Sequence, residues 1–235
     1  MQFAPVARET AADACTRSLR TAVLSGALAP GGFLPPEREL AVQLGVNRVT
    51  LRTAIARLTA QGLLTARQGS GTRVVDYRRA GGPELLGDLA ALATAEEQRG
   101  IVEDLLAARR GLARALLERL AVVRPDPTGV EQAVEAFAAA IGGPEERLAR
   151  ADLDVTAALV DAARSPVFAL CLNPVAAALE SMPTLRRALY RDPASNLAGW
   201  QMLVAWLRDP RPEAIDVILA MSAARDLETV RAVAP

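Results

Sequence analysis

In the stretch "GVNRVTLRTAIARL", Arg48, Thr50 and Arg52 follow Asn47 so closely that a helix starting there carries all three in its first turns. A guanidinium donates five N–H bonds, accepts none and stays protonated, so it is a poor general base. Its fork can pair bidentately with guanine O6 and N7 in the major groove, or clamp a phosphate. The rest of the chain narrows the chemistry further. There is no histidine, and all 27 basic residues are arginines. Without lysine there is no Schiff base and no Walker-type phosphate grip. Without histidine there is no Ser-His or Cys-His nucleophile pair and no imidazole metal ligand. Carboxylate pairs alone remain for acid–base work, so the expectation is a binding protein with no enzymatic activity, no cofactor and no metal.

The elements that must carry these arginines are legible around them. A first helix is expected from Thr10 to Ala27, with Ala11, Cys15, Leu19, Ala22 and Val23 on its buried face, stopping at "APGG". A second begins at Pro36, which suits a first helical turn because its missing N–H is unpaired there anyway. Glu37 and Glu39 complement the positive end of its dipole, and Leu40, Ala41 and Leu44 face inward. Gly45 makes the sharp turn, and Asn47 caps a third helix reaching Gln61, whose Leu51, Ala54, Ile55 and Leu58 form a buried stripe. That burial leaves Arg48, Val49, Thr50, Arg52 and Thr53 pointing away from the core. Next, "LLTARQGSGTRVVDY" (63–77) sets two β-prone stretches about Gln68-Gly69-Ser70-Gly71, a hairpin whose tip can approach another backbone. Helix-turn-helix plus hairpin is a winged helix, and its polar face reads as a DNA-reading face.

Charge agrees with that division. Residues 1–79 hold 11 arginines against five acids, and residues 80–235 hold 16 against 22. A basic third meets a polyanion while the acidic remainder does something else. The expected organisation is a winged helix over 1–77, a linker over 78–84 where "AGGPE" breaks any period, and an all-helical domain over 85–235. With 51% hydrophobic but only 3% aromatic residues, the chain reads as an Ala- and Leu-built, mainly α protein. It has no signal-like N-terminus and no uninterrupted apolar run long enough to span a bilayer. Cys15 and Cys171 lie far apart, each in an apolar helical pattern that predicts a buried free thiol, and a cytoplasmic location follows.

"LAPGGFLPPEREL", "LGVNRVTLR" and "QGSGTRV" together resemble the GntR family of bacterial transcription regulators over residues 10–76. The resemblance implies that Arg38, Arg48, Thr50 and Arg52 contact DNA. It sets Asn47 at the start of the recognition helix, and Gln68 and Gly69 at a wing tip that enters the minor groove. Two residues depart from the family pattern: Pro36 replaces a small polar residue and Asn47 a serine, both compatible with helix starts.

Beyond the linker, helices are expected near 85–95, 99–122, 128–141, 145–163, 166–181, 184–191, 194–208 and 212–230, punctuated by "RPDPTG", "GGPE", "RSP", "SMP", "RDPAS" and "DPRPE". Hairpin signals are few, so an all-α bundle is expected rather than the α/β effector domain of some GntR relatives. An aminotransferase-like extension requires a lysine that this chain lacks. A bundle of this size resembles the FadR-type, or FCD, ligand-sensing domain, through "LLAARRGLARALL", "ADLDVTAALVDAARSPVFALCLN" and "DPASNLAGWQMLVAWL".

Many domains of that subfamily bind a metal through one aspartate and three histidines. Asp152 matches the aspartate, but Thr156 stands where the first histidine is expected, so that metal site cannot be built. Asp152, Asp154 and Asp161 read better as helix charges than as a hard-cation cluster. The metal-free branch of the subfamily senses fatty acyl-coenzyme A, and Arg109 falls where both branches place a ligand-facing arginine. Its other reading is a salt bridge within the bundle. Tyr190 and Trp200 fall near cavity-facing positions of that branch, although core packing is the more usual role for either aromatic. The expectation is therefore a homodimer that reads a pseudo-palindromic operator of double-stranded DNA. Its helical domain would bind fatty acyl-coenzyme A or a similar lipophilic, anionic effector. Two alternatives stay open: a helical domain that only dimerises or recruits a protein partner, and a carboxylate sensor without the family's metal.

Overall fold

The structure is a computed structural model, and it describes residues 10–67 and 71–233. The chain forms two compact units, Met1–Leu92 and Ala93–Pro235.

In the first unit, helix α1 (Ala11–Leu24) starts on a reciprocal capping box between Thr10 and Asp13. Its buried face is Cys15, Thr16, Leu19, Val23 and Leu24. Ala11, expected on that face, is exposed because it precedes the first full turn packed on the core. Helix α2 (Glu37–Gln43) follows Pro36 at its N-cap, and Gly45 turns the chain at φ 65° into α3 (Arg48–Ala60). Leu51, Ala54, Ile55 and Leu58 of α3 are all buried, and α3 packs chiefly on α1. Strands β1 (Leu64–Arg67) and β2 (Gly71–Val74) pair antiparallel, Leu64 opposite Val74. The segment at Phe33 joins the hairpin edge, Leu34 N–H donating to Thr72 O at 2.8 Å and Val74 N–H to Gly32 O at 2.8 Å.

The expected linker is structured. Residues Tyr77–Ala80 form a helical turn (α4), Pro83–Leu85 a 3-10 turn, and Leu86–Leu92 a short helix (α5). Leu85 and Leu89 pack into the first unit's core, so the division falls at Leu92/Ala93 rather than within 78–84. An apolar contact, not the Gly-Gly-Pro punctuation, decides which unit this segment joins. Arg20 of α1 reinforces the join, donating to Asp88 of α5 at 2.8 Å and to Gln61 at 3.1 Å.

The second unit is helical throughout its secondary structure. Helices α6 (Ala95–Val123), α7 (Thr128–Ala140), α8 (Glu145–Ala162), α9 (Pro166–Ser181), α10 (Pro183–Leu189), α11 (Pro193–Arg208) and α12 (Ile215–Val233) follow the expected order. α6 starts earlier than hydrophobic spacing predicts because Thr94 and Glu97 form a second capping box. The core gathers Leu116 and Leu120 of α6, Phe137 of α7, Val155 and Leu159 of α8, and Leu203 and Trp206 of α11. Pro174 sits inside α9, where it withholds a helical N–H. Cys15 is buried as expected, but Cys171 is exposed: its apolar neighbours on α9 also include exposed Val167 and Leu170.

Candidate nucleic-acid interface and effector cavity

The N-terminal end of α3 is built by its cap. Asn47 Oδ1 accepts the Thr50 N–H at 2.8 Å, which starts the helix with Arg48 and Thr50 in its first turn and Arg52 one turn on. Arg48 and Arg52 side chains are 60% and 64% exposed. Arg52 Nε donates to Glu37 Oε2 at 2.8 Å, and Arg48 Nη2 lies 3.8 Å from the same oxygen. Arg38 on α2 is exposed and makes no hydrogen bond or ion pair among the described residues. The structure thus brings Asn47, Arg48, Thr50 and Arg52 together on one helix end beside α2, while Gln68 and Gly69 lie outside the described residues. Glu37 is the residue that sequence reasoning missed here. It was read only against the dipole of its own helix, and a contact across 15 residues leaves no periodic signal.

In the second unit, Ala149, Asp152, Leu153 and Thr156 of α8 face Leu172, Val175, Ala176 and Leu179 of α9 across a cavity of about 60 Å³. Arg109 of α6, Arg186 and Leu189 of α10, and Tyr190 complete its lining. The Asp152 carboxylate accepts from Trp200 Nε1 at 2.7 Å and from the Tyr190 hydroxyl at 3.1 Å. Burial pushes its pKa above the ordinary carboxylate range, against the pull of those two donors and of Arg109 and Arg225. Thr156 Oγ1 donates to the Asp152 carbonyl at 3.3 Å, so it is held along its own helix. Trp200 reaches the site through Asp152 without lining the cavity. Asp154 pairs instead with Arg150 at 3.4 Å, and Asp161 lies on the exposed side of α8. Among the described residues no three His, Cys, Asp or Glu side chains converge as metal ligands.

Arg109 has two attachments. It lines the cavity, and its Nη2 donates to Asp226 Oδ1 on α12 at 2.7 Å. Arg110 donates to the other Asp226 oxygen. The residue before Asp226, Arg225, is half-buried beside Gly199, where a Cβ would lie 2.8 Å from its Nη1. Burial, and next the Arg109 charge, pull the Arg225 pKa down. Asp226 and Arg225 went unnoticed in the sequence, being two polar residues on a helix whose other spacing explains itself.

A family model described as bacterial regulatory proteins, gntR family, matches residues 11–74, the span from α1 to β2. The transcriptional regulator Mce2R of Mycobacterium tuberculosis is 36% identical over 187 residues, covering 79% of this chain and 76% of that protein. The chain belongs to the GntR family. As a GntR protein it is a DNA-binding transcription regulator, not an enzyme. A fatty acid metabolism regulator of Edwardsiella ictaluri is 35% identical over 144 residues, 61% of this GntR chain and 59% of its own length. The fold matches that of Lar, which controls expression of the Listeria monocytogenes agr system, with TM-score 0.63 and 18% identity over 98% of this chain and 99% of that one. Among the described residues no single helix is long and apolar enough to cross a membrane.

Proposed function

We propose that this GntR regulator works in the cytoplasm as a homodimer whose two heads read a pseudo-palindromic operator. Its helical unit binds a small lipophilic, anionic effector that changes operator affinity. In this reading Arg38, Arg48, Thr50, Arg52, Gln68 and Gly69 contact DNA, and Asn47 sets the helix end from which Arg48, Thr50 and Arg52 project. The exposed arginine pair at the capped start of α3 supports the DNA face, since that end of a recognition helix enters the major groove. A twofold protein presents the same face twice, which is the reason for an operator with half-sites.

One observation carries the effector: a cavity with apolar walls from α8 and α9 that Arg109, Asp152, Thr156, Arg186 and Tyr190 also line. That polarity suits an acyl-type metabolite with an acidic head, fatty acyl-coenzyme A or a related carboxylate. At about 60 Å³ the cavity is smaller than the roughly 300–1,000 Å³ of ordinary ligand sites. A chain therefore enters only as α9 moves outward, and Pro174 makes that helix the deformable wall. An effector that favours one arrangement of the protein acts through its differential affinity for the two. The small cavity and the Arg109–Asp226 bond favour the second reading, in which the helical unit serves only association or partner recruitment.

Native mass spectrometry of protein purified from its own host, with thermal shifts across acyl-coenzyme A species and short carboxylates, tests the effector. A retained acidic small molecule, or stabilisation by one class, supports it; an empty dimer with flat thermal stability selects the second reading. Gel shifts test the DNA face: Arg48→Ala or Arg52→Ala costs about 1–3 kcal/mol of operator affinity where the arginine pairs with guanine. Unchanged binding by both variants sinks that assignment.

A further inference from the structure

We infer that Glu37 is a specificity-determining residue of the DNA-reading face. It orients Arg52 toward a base edge and holds down binding to DNA of any other sequence. The inference rests on the reading that Arg48 and Arg52 face DNA, and it adds a residue and a function to that reading.

The geometry is a three-residue cluster spanning both helices of the motif. Glu37, in the first turn of α2 and 35% exposed, sets one carboxylate oxygen 2.8 Å from Arg52 Nε and 3.8 Å from Arg48 Nη2. Taking the Nε–H leaves the four N–H groups on the two terminal nitrogens of Arg52 unclaimed. Those two nitrogens are enough for the bidentate bond to guanine O6 and N7. An arginine tethered at Nε also samples fewer rotamers, so less freedom is lost when it meets the base. The dipole of α2 does not need Glu37 for this, because Glu39 lies in the same first turn and forms no ion pair among the described residues.

The charge has a second effect. Sequence-independent binding grows with each cation that displaces counterions from phosphates. A carboxylate between two arginines cancels part of their charge, and swinging Arg52 to a phosphate would leave Glu37 facing a polyanion. A base contact through the terminal nitrogens breaks no ion pair. Glu37 thus penalises the wrong binding mode more than the right one, and specificity is that difference.

The experiment uses the full chain. An operator motif is selected from a pool of random duplexes with the wild-type protein. Affinities for selected and random duplexes are then measured across salt for wild type, E37Q, E37D and R52A. E37Q should bind random duplex more tightly, with a log–log salt slope steeper by about 0.9 per head. Its preference for the guanine read by Arg52 should fall about tenfold. E37D, which keeps the charge on a shorter arm, should restore the wild-type salt slope without restoring the guanine preference. An exposed ion pair adds little to folding, so these variants should remain folded. If E37Q shows the wild-type slope and base preference while R52A loses that preference, Glu37 has no such function and the DNA face stands. If R52A keeps the base preference, the assignment of Arg52 itself fails and this inference falls with it.

Discussion

Asp226 offers the sharpest test of how the helical unit is held together. Its side chain is 5% exposed and bridges Arg109 and Arg110, tying α12 to α6, while those arginines keep 32% and 29% of their exposure. Removing one partner of a buried ion pair typically costs about 3–5 kcal/mol, because the other charge stays buried and unpaired. Here the survivors are arginines about one-third exposed, which can turn toward water, so D226A should cost less, about 2–3 kcal/mol. D226N keeps the shape and one acceptor and should fall between that variant and wild type. Urea unfolding followed by tryptophan fluorescence isolates the effect, since both tryptophans, Trp200 and Trp206, lie in the second unit. The midpoint should drop by roughly 1 M at a typical urea slope, with the slope unchanged. If both variants stay within about 0.5 kcal/mol of wild type, the bridge is a surface-like pair and the reasoning fails.

Three further outcomes follow from single residues. The pKa of Asp152 is raised on folding, so the native state keeps its proton longer than the unfolded chain does. The helical unit should lose stability as pH rises from the ordinary carboxylate range to the native value, and urea midpoints of D152N across that range should lack the loss. Asp13 runs the other way: hydrogen bonds from Thr10 and then Arg57 hold it at about 2. Its contribution is present above the ordinary carboxylate range and disappears as pH falls toward that value, and acid titration of D13N by circular dichroism should lack this step. Gly62 has φ 73°, and a Cβ there would meet the Ala80 carbonyl oxygen at 2.4 Å. G62A should destabilise the first unit by more than the roughly 1 kcal/mol of a left-handed alanine alone, seen as faster amide exchange in α4 and the hairpin.

The DNA-binding head was legible because its rules are local. A cap at Asn47, a glycine turn at Gly45 and a stripe of Leu51, Ala54, Ile55 and Leu58 lie within a few residues of one another, and each has one structural meaning. Helix order in the second unit was legible for the same reason, through the Pro and Gly between helices. The unit boundary was not: Leu85 and Leu89 read as the start of a bundle helix until their burial beside α1 is known. Neither were Glu37 and Asp226, whose partners are 15 and more than 100 residues away, nor the exposure of Cys171 on a helix apolar nearly all round. Pattern reports which face is apolar; it does not report which apolar faces find a partner.

The α9 wall of the cavity and its polar groups are encoded in different stretches of chain. Leu172, Val175, Ala176 and Leu179 come from one charge-poor helix, whereas Arg109, Asp152, Thr156 and Tyr190 come from α6, α8 and the end of α10. Substitutions that resize α9 alter how much room there is and leave the charges alone. In the proposed effector reading, trading alanine, valine and leucine at a few neighbouring codons lets lineages of this protein drift toward longer or shorter tails while keeping head-group recognition intact. The same separation hands a protein engineer one knob for tail length and another for acidity.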